Sequence, residues 1–273
     1  MSKLSDDFSA DEKNEVAELS GPGAPIIYEV ITQEGNEELS RSLRSLFWSG
    51  VAAGLLISVS IYAEATLRSM LPDTAWRGLI ENIGYSVGFI IVVMGRLQLF
   101  TENTITTVAP LLVNPSSGNL YRTAKLWAIV YLANMIGTFA AAIYFYYLPV
   151  TTVEIRTAME SLSLHIFEFS IAQNISRGIL AGVLIATMVW ILPNAKHNAF
   201  WVILLFTYLI ALGDLTHVIA GSVEAFYVFL MGDISLARAI ASYIFPTLAG
   251  NVVGGTLVFT LLVYAQISPD LPD

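Results

Sequence analysis

Cysteine is absent from the 273 residues, which excludes disulfides and thiolate metal sites. Charge is nearly as scarce. Asp, Glu, Lys and Arg make up 13% of the chain, against about 25% in a soluble domain. Histidine occurs three times, with no two-histidine metal spacing. His165 and His197 fall in connecting segments, where solvation is expected. No metal, cofactor or enzyme signature is present, and no nucleic-acid partner is expected of a chain with net charge −9. The alternating short strands of a closed barrel are also missing. The N-terminal segment has no apolar run of the kind that marks a secretory signal.

What remains is a chain that is 55% hydrophobic, with mean hydropathy +0.67. A hydrocarbon core of roughly 30 Å needs about 20 apolar helical residues per crossing. Six crossings are read, at about 46–67, 79–100, 123–148, 175–192, 199–213 and 238–266. This is an all-α integral membrane protein whose first partner is the lipid bilayer. Residues 1–44 hold ten acids and four bases and read as an acidic tail, mostly disordered to about Gly35. The membrane domain runs over 45–267, and 268–273 is a short C-terminal tail. Lys and Arg divide seven against five in favour of the side holding both termini, so both are expected in the cytoplasm.

The halves resemble each other. "SGVAAGLLIS" from Ser49 aligns with "RGILAGVLIA" from Arg177, an offset of 128. "QLFTENT" aligns with "GDLTHVI" through Leu99-Phe100-Thr101 and Leu215-Thr216-His217, an offset of 116. Asn134 in "LANMIGT" stands over Asn251 in "AGNVVGGT", an offset of 117. Two repeats, about 45–148 and 175–267, each with three helices, must enter the membrane from opposite sides, as in many transporters and channels. Gly50-x3-Gly54, Gly84-x3-Gly88, Gly178-x3-Gly182 and Gly250-x3-Gly254 put small residues one turn apart and predict close helix packing.

Polar residues interrupt the second and fifth crossings. The first break holds Arg96, Gln98, Thr101, Glu102 and Asn103; the second holds Gly213, Asp214, Thr216, His217 and Gly221. Non-helical backbone at membrane depth is tolerated only where it is buried in protein or lines a wet cavity. The two breaks are therefore expected to meet as a polar waist, with helix N-termini at Thr101–Thr104 and His217–Ala220 facing it. An unperturbed histidine titrates nearest neutrality, so His217 is the residue expected to donate to an anion or exchange a proton with it. Arg96, Glu102 and Asp214 are read as a charge network. Arg96 pairing with an acid favours anion passage, while unpaired acids along the pore weigh against it. Glu224, two turns after His217, belongs either to a proton path or to a subunit contact. Tyr85, Phe89, Phe100 and Ile210 are candidates for apolar constrictions.

With "LFTENT", "GILAGVLIATMVWI", "THVIAGS" and "GNVVGGT" in this order, residues 40–267 resemble the formate–nitrite transporter family. The resemblance implies an aquaporin-like six-helix protomer, a homopentamer and one pore per protomer for small monovalent anions or weak acids. It implies a multi-pass location in the bacterial inner membrane. It puts Thr101 and His217 at the pore centre beside Thr216, and Tyr85, Phe89, Phe100 and Ile210 at the constrictions. The chain departs from the family pattern at several positions. The fourth-span Asn falls on Gly182, the acid before the central His falls on Thr216, and the Asn after it falls on Gly221. The family Lys has no clear counterpart. Passage of a neutral solute or a cation, or a non-conducting scaffold or sensor using the acidic tail, are the alternatives.

Overall fold

The structure, a computed structural model, describes residues 9, 11–13 and 21–270. Among the described residues every regular element is helical. Helix α1, Ala24–Ser40, precedes the membrane segments. Helices α2, Leu43–Ile57, and α3, Val59–Met70, form one apolar crossing with a turn at Ser58. Helices α4, Arg77–Glu81, and α5, Ser86–Met94, make up the second. Two short arms continue it, α6, Phe100–Thr106, and α7, Val108–Val113. Helix α8, Ser117–Tyr147, is the third crossing. Helix α9, Val153–His165, joins the two halves. Helix α10, Ile171–Ile191, crosses next, followed by two shorter apolar helices, α11, Ala199–Leu212, and α12, Val218–Met231. The last apolar stretch, Leu236–Ile267, contains α13, Leu236–Ala239, α14, Phe245–Val252, and α15, Leu261–Ile267. Two π-helical segments, Ile240–Ile244 and Val253–Thr260, separate these three.

Local sequence fixes the starts. Ser42 and Ser116 each accept from a backbone N–H three residues on, at 3.2 Å. Ser170 and Gln173 form a reciprocal capping box at the head of α10, satisfying amides that lipid could not. Pro246 has no N–H, so the Ser242 carbonyl one turn earlier loses its ordinary helical partner. The side chain of Asn174 donates to that carbonyl at 2.9 Å, tying the first π-segment to α10.

The tail differs from expectation. Residues 24–35 are not a disordered leader, because α1 runs through them. Pro25 stands in its first turn, where proline costs nothing. Ile27, Tyr28 and Ile31 are buried at helical spacing. The Tyr28 hydroxyl donates to the Ala109 carbonyl at 2.9 Å, and Gly35 lies against the Thr106 carbonyl so closely that no side chain fits between them. Apolar burial and this close approach outweigh the acidic composition. Most of residues 1–20, also read as disordered, lie outside the described residues.

The inverted repeat is visible in the backbone, but in another register at the breaks. Gly95, Arg96 and Leu97 donate to Ile91, Val93 and Val92; Gly213, Asp214 and Leu215 donate to Leu209, Ala211 and Ile210, all at 2.9–3.1 Å. Arg96 and Asp214 both have φ 50, the left-handed region that most side chains avoid. Leu99 and His217 are the extended caps of the following helices. The true offset is therefore 118, with Leu99 over His217. The Leu-Phe-Thr and Leu-Thr-His likeness was a coincidence of composition, whereas Gly-x-Leu in "GRLQL" and "GDLTH" follows the geometry.

Two asparagines lock these breaks. Asn134 accepts from the Phe100 amide at 2.9 Å and donates to the carbonyls of Gly50 and Gln98 at 2.8 and 2.9 Å. Asn251 accepts from the Val218 amide at 2.8 Å and donates to the carbonyls of Gly178 and Thr216, both at 2.9 Å. Each joins three segments of its own half. Gly54 and Gly182 let the neighbouring helices close over them, each lying directly against the backbone carbonyl of Asn134 or Asn251.

Candidate functional site

The two breaks meet at one hydrogen bond. Thr101 Oγ1 and His217 Nε2 are 2.7 Å apart, both 1% exposed. His217 caps α12, its Nδ1 accepting from the Ala220 amide at 3.2 Å. An Nδ1 that accepts carries no proton, so the neutral ring holds its hydrogen on Nε2 and donates it to Thr101. Accepting there, the Thr101 hydroxyl keeps its own hydrogen available for another acceptor. Phe89 packs edge-on against the imidazole, with ring centroids 4.9 Å apart.

A vestibule lies on either side. The tail-side vestibule, about 600 Å³, is lined by Glu34, Glu38, Arg41, Arg96 and Glu102 among others. The far-side vestibule, about 500 Å³, reaches His217 and Thr216 and is lined by Glu64, Tyr85, Asp214, Glu224 and Tyr243. Of the constriction candidates, only Tyr85 faces a vestibule. Phe89 and Ile210 are fully buried. Phe100 is packed between Trp127 and Tyr131, with centroids 5.6 and 5.3 Å away. The Thr216 hydroxyl is spent on the Asn174 carbonyl at 2.9 Å.

The expected network of Arg96, Glu102 and Asp214 does not form. Arg96 points to water, with 83% of its side chain exposed, and meets Glu34 of α1 at 3.5 Å. Asp214 belongs to the opposite vestibule, where its carboxylate lies 3.4 Å from His165 Nε2 and its carbonyl accepts from Arg177 at 2.8 Å. The cause is the left-handed turn at each break, which aims residues 96 and 214 away from the waist. His165 is not simply solvated either, since it stands between Asp214 and Glu168, the latter at 3.0 Å. Glu102 shares the tail-side vestibule but forms no ion pair among the described residues.

The helix N-termini are poorer anion sites than the breaks suggest. The amides of Phe100 and Val218 are taken by Asn134 and Asn251, and those of Glu102, Asn103, Ala220 and Gly221 by Leu99 or His217. On α1, burial pushes the Glu38 carboxyl above its usual range, although hydrogen bonds from Thr106 (2.9 Å) and Gln98 (3.3 Å) act the other way.

Sequence reasoning missed Glu64 and Tyr243, which stand among other polar residues in their crossings and carry no repeat partner or motif to mark them. It also gave Asn134 and Asn251 no role, although their matched positions in the two repeats were a usable signal.

A family model described as formate/nitrite transporter matches residues 25–265. The inner membrane protein YfdC of Escherichia coli K12 is 41% identical over 250 residues, covering 92% of this chain and 81% of that one. The formate channel FocA of Haemophilus influenzae is 25% identical over 241 residues, covering 77% and 82%. A pentameric formate channel with formate bound superposes with TM-score 0.70 at 18% identity, covering 83% of this chain and 98% of that one. An ion channel of the same family gives 0.76 at 16%, covering 88% and 98%. Sequence and fold agree, and the chain belongs to the formate/nitrite transporter family.

Proposed function

We propose that the chain passes a small weak monoacid, of the formate or nitrite kind, across the bacterial inner membrane as the neutral acid. In this reading α11 and α12 together supply a sixth crossing, the protomers assemble as a pentamer, and the tail side faces the cytoplasm. Phe89, Phe100 and Ile210 form the dry collar around the waist, with Tyr85 at its far-side mouth, and Thr101 with His217 offers the one polar step inside it. The observation that carries the reading is the 2.7 Å Thr101–His217 bond, which joins the two breaks and leaves a hydroxyl hydrogen free for a substrate oxygen. Acids outnumber bases in both vestibules, and Glu64, Glu102 and Glu224 have no cation within ion-pair distance among the described residues. Such walls offer a bare anion little compensating positive charge, which favours the protonated form.

Uptake into proteoliposomes tests this, with formate, nitrite, acetate, lactate and hydrosulfide across a pH series. Uptake well above that of empty vesicles is expected for at least one of them. His217→Ala removes the ring that orients Thr101, and is expected to slow uptake about tenfold, the factor carried by one hydrogen bond of about 1.4 kcal/mol. Rates equal to those of empty vesicles, or a His217→Ala variant as fast as the parent, would sink the reading. The unpaired acids also support a second reading, passage of a small cation. Reversal potentials that follow a cation gradient rather than the acid gradient would establish it instead.

A further inference from the structure

If the acid crosses in neutral form, some group must give the anion its proton, and this inference rests on that reading. His217 is badly placed to do so. Donating its single ring proton would leave an imidazolate, and taking a second proton on Nδ1 would strand the Ala220 amide that bonds there. The donor must face a vestibule.

On the far side most titratable groups are already engaged. Glu81 is paired with Arg68 at 2.8 Å and with Arg77 at 3.1 Å. His165 lies between Glu168 and Asp214, at 3.0 and 3.4 Å. Two carboxyls remain, Glu64 from α3 and Glu224 from α12. Neither has a hydrogen bond or an ion pair among the described residues, and Glu64 is only 9% exposed. An unpaired carboxylate is costly in such a place, whereas the neutral acid is not.

Tyr243 is the independent sign of a ligand. It stands on the π-segment that Asn174 ties to α10, and π-segments gather at functional sites. It is 2% exposed and lines the vestibule with His217. Its hydroxyl makes no well-formed hydrogen bond, the Thr247 side chain one turn on being its polar neighbour, and the ring lies where a side chain at Gly221 would begin, with Tyr243 Cζ 2.6 Å from that position. Here glycine makes room, and a phenol from another helix brings a hydroxyl into the same space.

The geometry points to Glu64 and Glu224 as the proton-loading carboxyls of the far-side vestibule, with Tyr243 holding the anion beside them. The anion accepts a hydrogen bond from the Tyr243 hydroxyl. The O–H bond of a protonated Glu224 breaks, its electron pair stays on that carboxylate, and a new O–H bond forms on the anion, after which Glu64 passes its own proton to Glu224, so both carboxyls are needed. The neutral acid enters the waist, and a proton from the far-side medium, relayed through vestibule water, reprotonates the Glu64 carboxylate.

The test uses the full chain in proteoliposomes with radiolabelled formate, a trapped pH dye and subtraction of empty-vesicle uptake. Glu224→Gln and Glu64→Gln keep the side-chain shape, and two positions let one variant carry the test if the other does not reconstitute. Each is expected to cut uptake about tenfold at pH 7.5 and to approach the parent rate near pH 5, where the medium itself supplies free acid. Tyr243→Phe is expected to raise the half-saturating concentration without moving the pH profile, and His217→Ala to slow uptake at every pH. A parent-like pH profile in either glutamine variant would overturn the proton-loading role while leaving the weak-acid reading in place. Formate uptake by the parent no faster than in empty vesicles would take down both.

Discussion

Replacing Asn251 with leucine is expected to prevent stable assembly of the membrane domain. Leucine has the same number of side-chain heavy atoms, branched at the same carbon, and is no smaller than asparagine, so no cavity explains the loss. What is lost is three hydrogen bonds of 2.8–2.9 Å to the Val218 amide and to the carbonyls of Thr216 and Gly178. Asn251 itself is fully buried, so water does not replace it. Each orphaned group costs about 1–3 kcal/mol, and three together approach the about 5–15 kcal/mol that holds a typical domain. The loss falls where the chain leaves the helix, at the residues that hold His217 in place. Asn134→Leu is expected to do the same at the other break, since it bonds the Phe100 amide and two carbonyls at 2.8–2.9 Å. Thermal unfolding of the detergent-solubilised protein, followed by size exclusion, measures this. Melting within a few degrees of the parent would show that the asparagines do not lock the breaks.

Gly182→Ala is expected to be nearly as damaging, though it adds a single methyl. The new carbon would sit against the Asn251 backbone, 3.0 Å from the carbonyl carbon and closer still to its oxygen. Nothing flexible is available to move, because the obstructing atoms are the helix that carries the Asn251 lock. Overpacking typically costs about 1–3 kcal/mol, and here the upper end is expected because separating α10 from α14 also stretches the Asn251–Gly178 bond. The same geometry shows why the family's fourth-span Asn cannot simply be restored in this chain. Expression, melting temperature and elution volume of Gly182→Ala check this, beside Gly78→Ala as a control, where an added carbon has only the tip of Asn82 nearby at 3.9 Å. Equal behaviour of the two variants would contradict the packing argument.

Much of the architecture was readable because its cause is local. A long apolar run is a membrane helix whatever its neighbours do, and Gly-x3-Gly marks a face where backbones touch. The Thr101–His217 meeting was also readable, since polar residues interrupting two matched spans have few other places to go. Register was harder. Leu-Phe-Thr looks like Leu-Thr-His, and only the paired left-handed residues, Arg96 and Asp214, show that the repeat runs two residues away. The same φ angle explains the charge network that did not form, because backbone direction at a break is invisible in composition. Helix α1 was hidden by its acids, although Pro25 followed by Ile27, Tyr28 and Ile31 carried the helical spacing. Tyr243 gave no signal of its own, because its place depends on a glycine 22 positions earlier that only the fold brings beside it.

The central claim is that a weak acid crosses this waist without net charge. Simultaneous recording of formate flux and membrane current in reconstituted vesicles tests it most directly. The account predicts flux that follows the acid gradient, carries one proton per formate and leaves the current at the level of empty vesicles. A current that scales with formate flux and reverses at the formate equilibrium potential would contradict it.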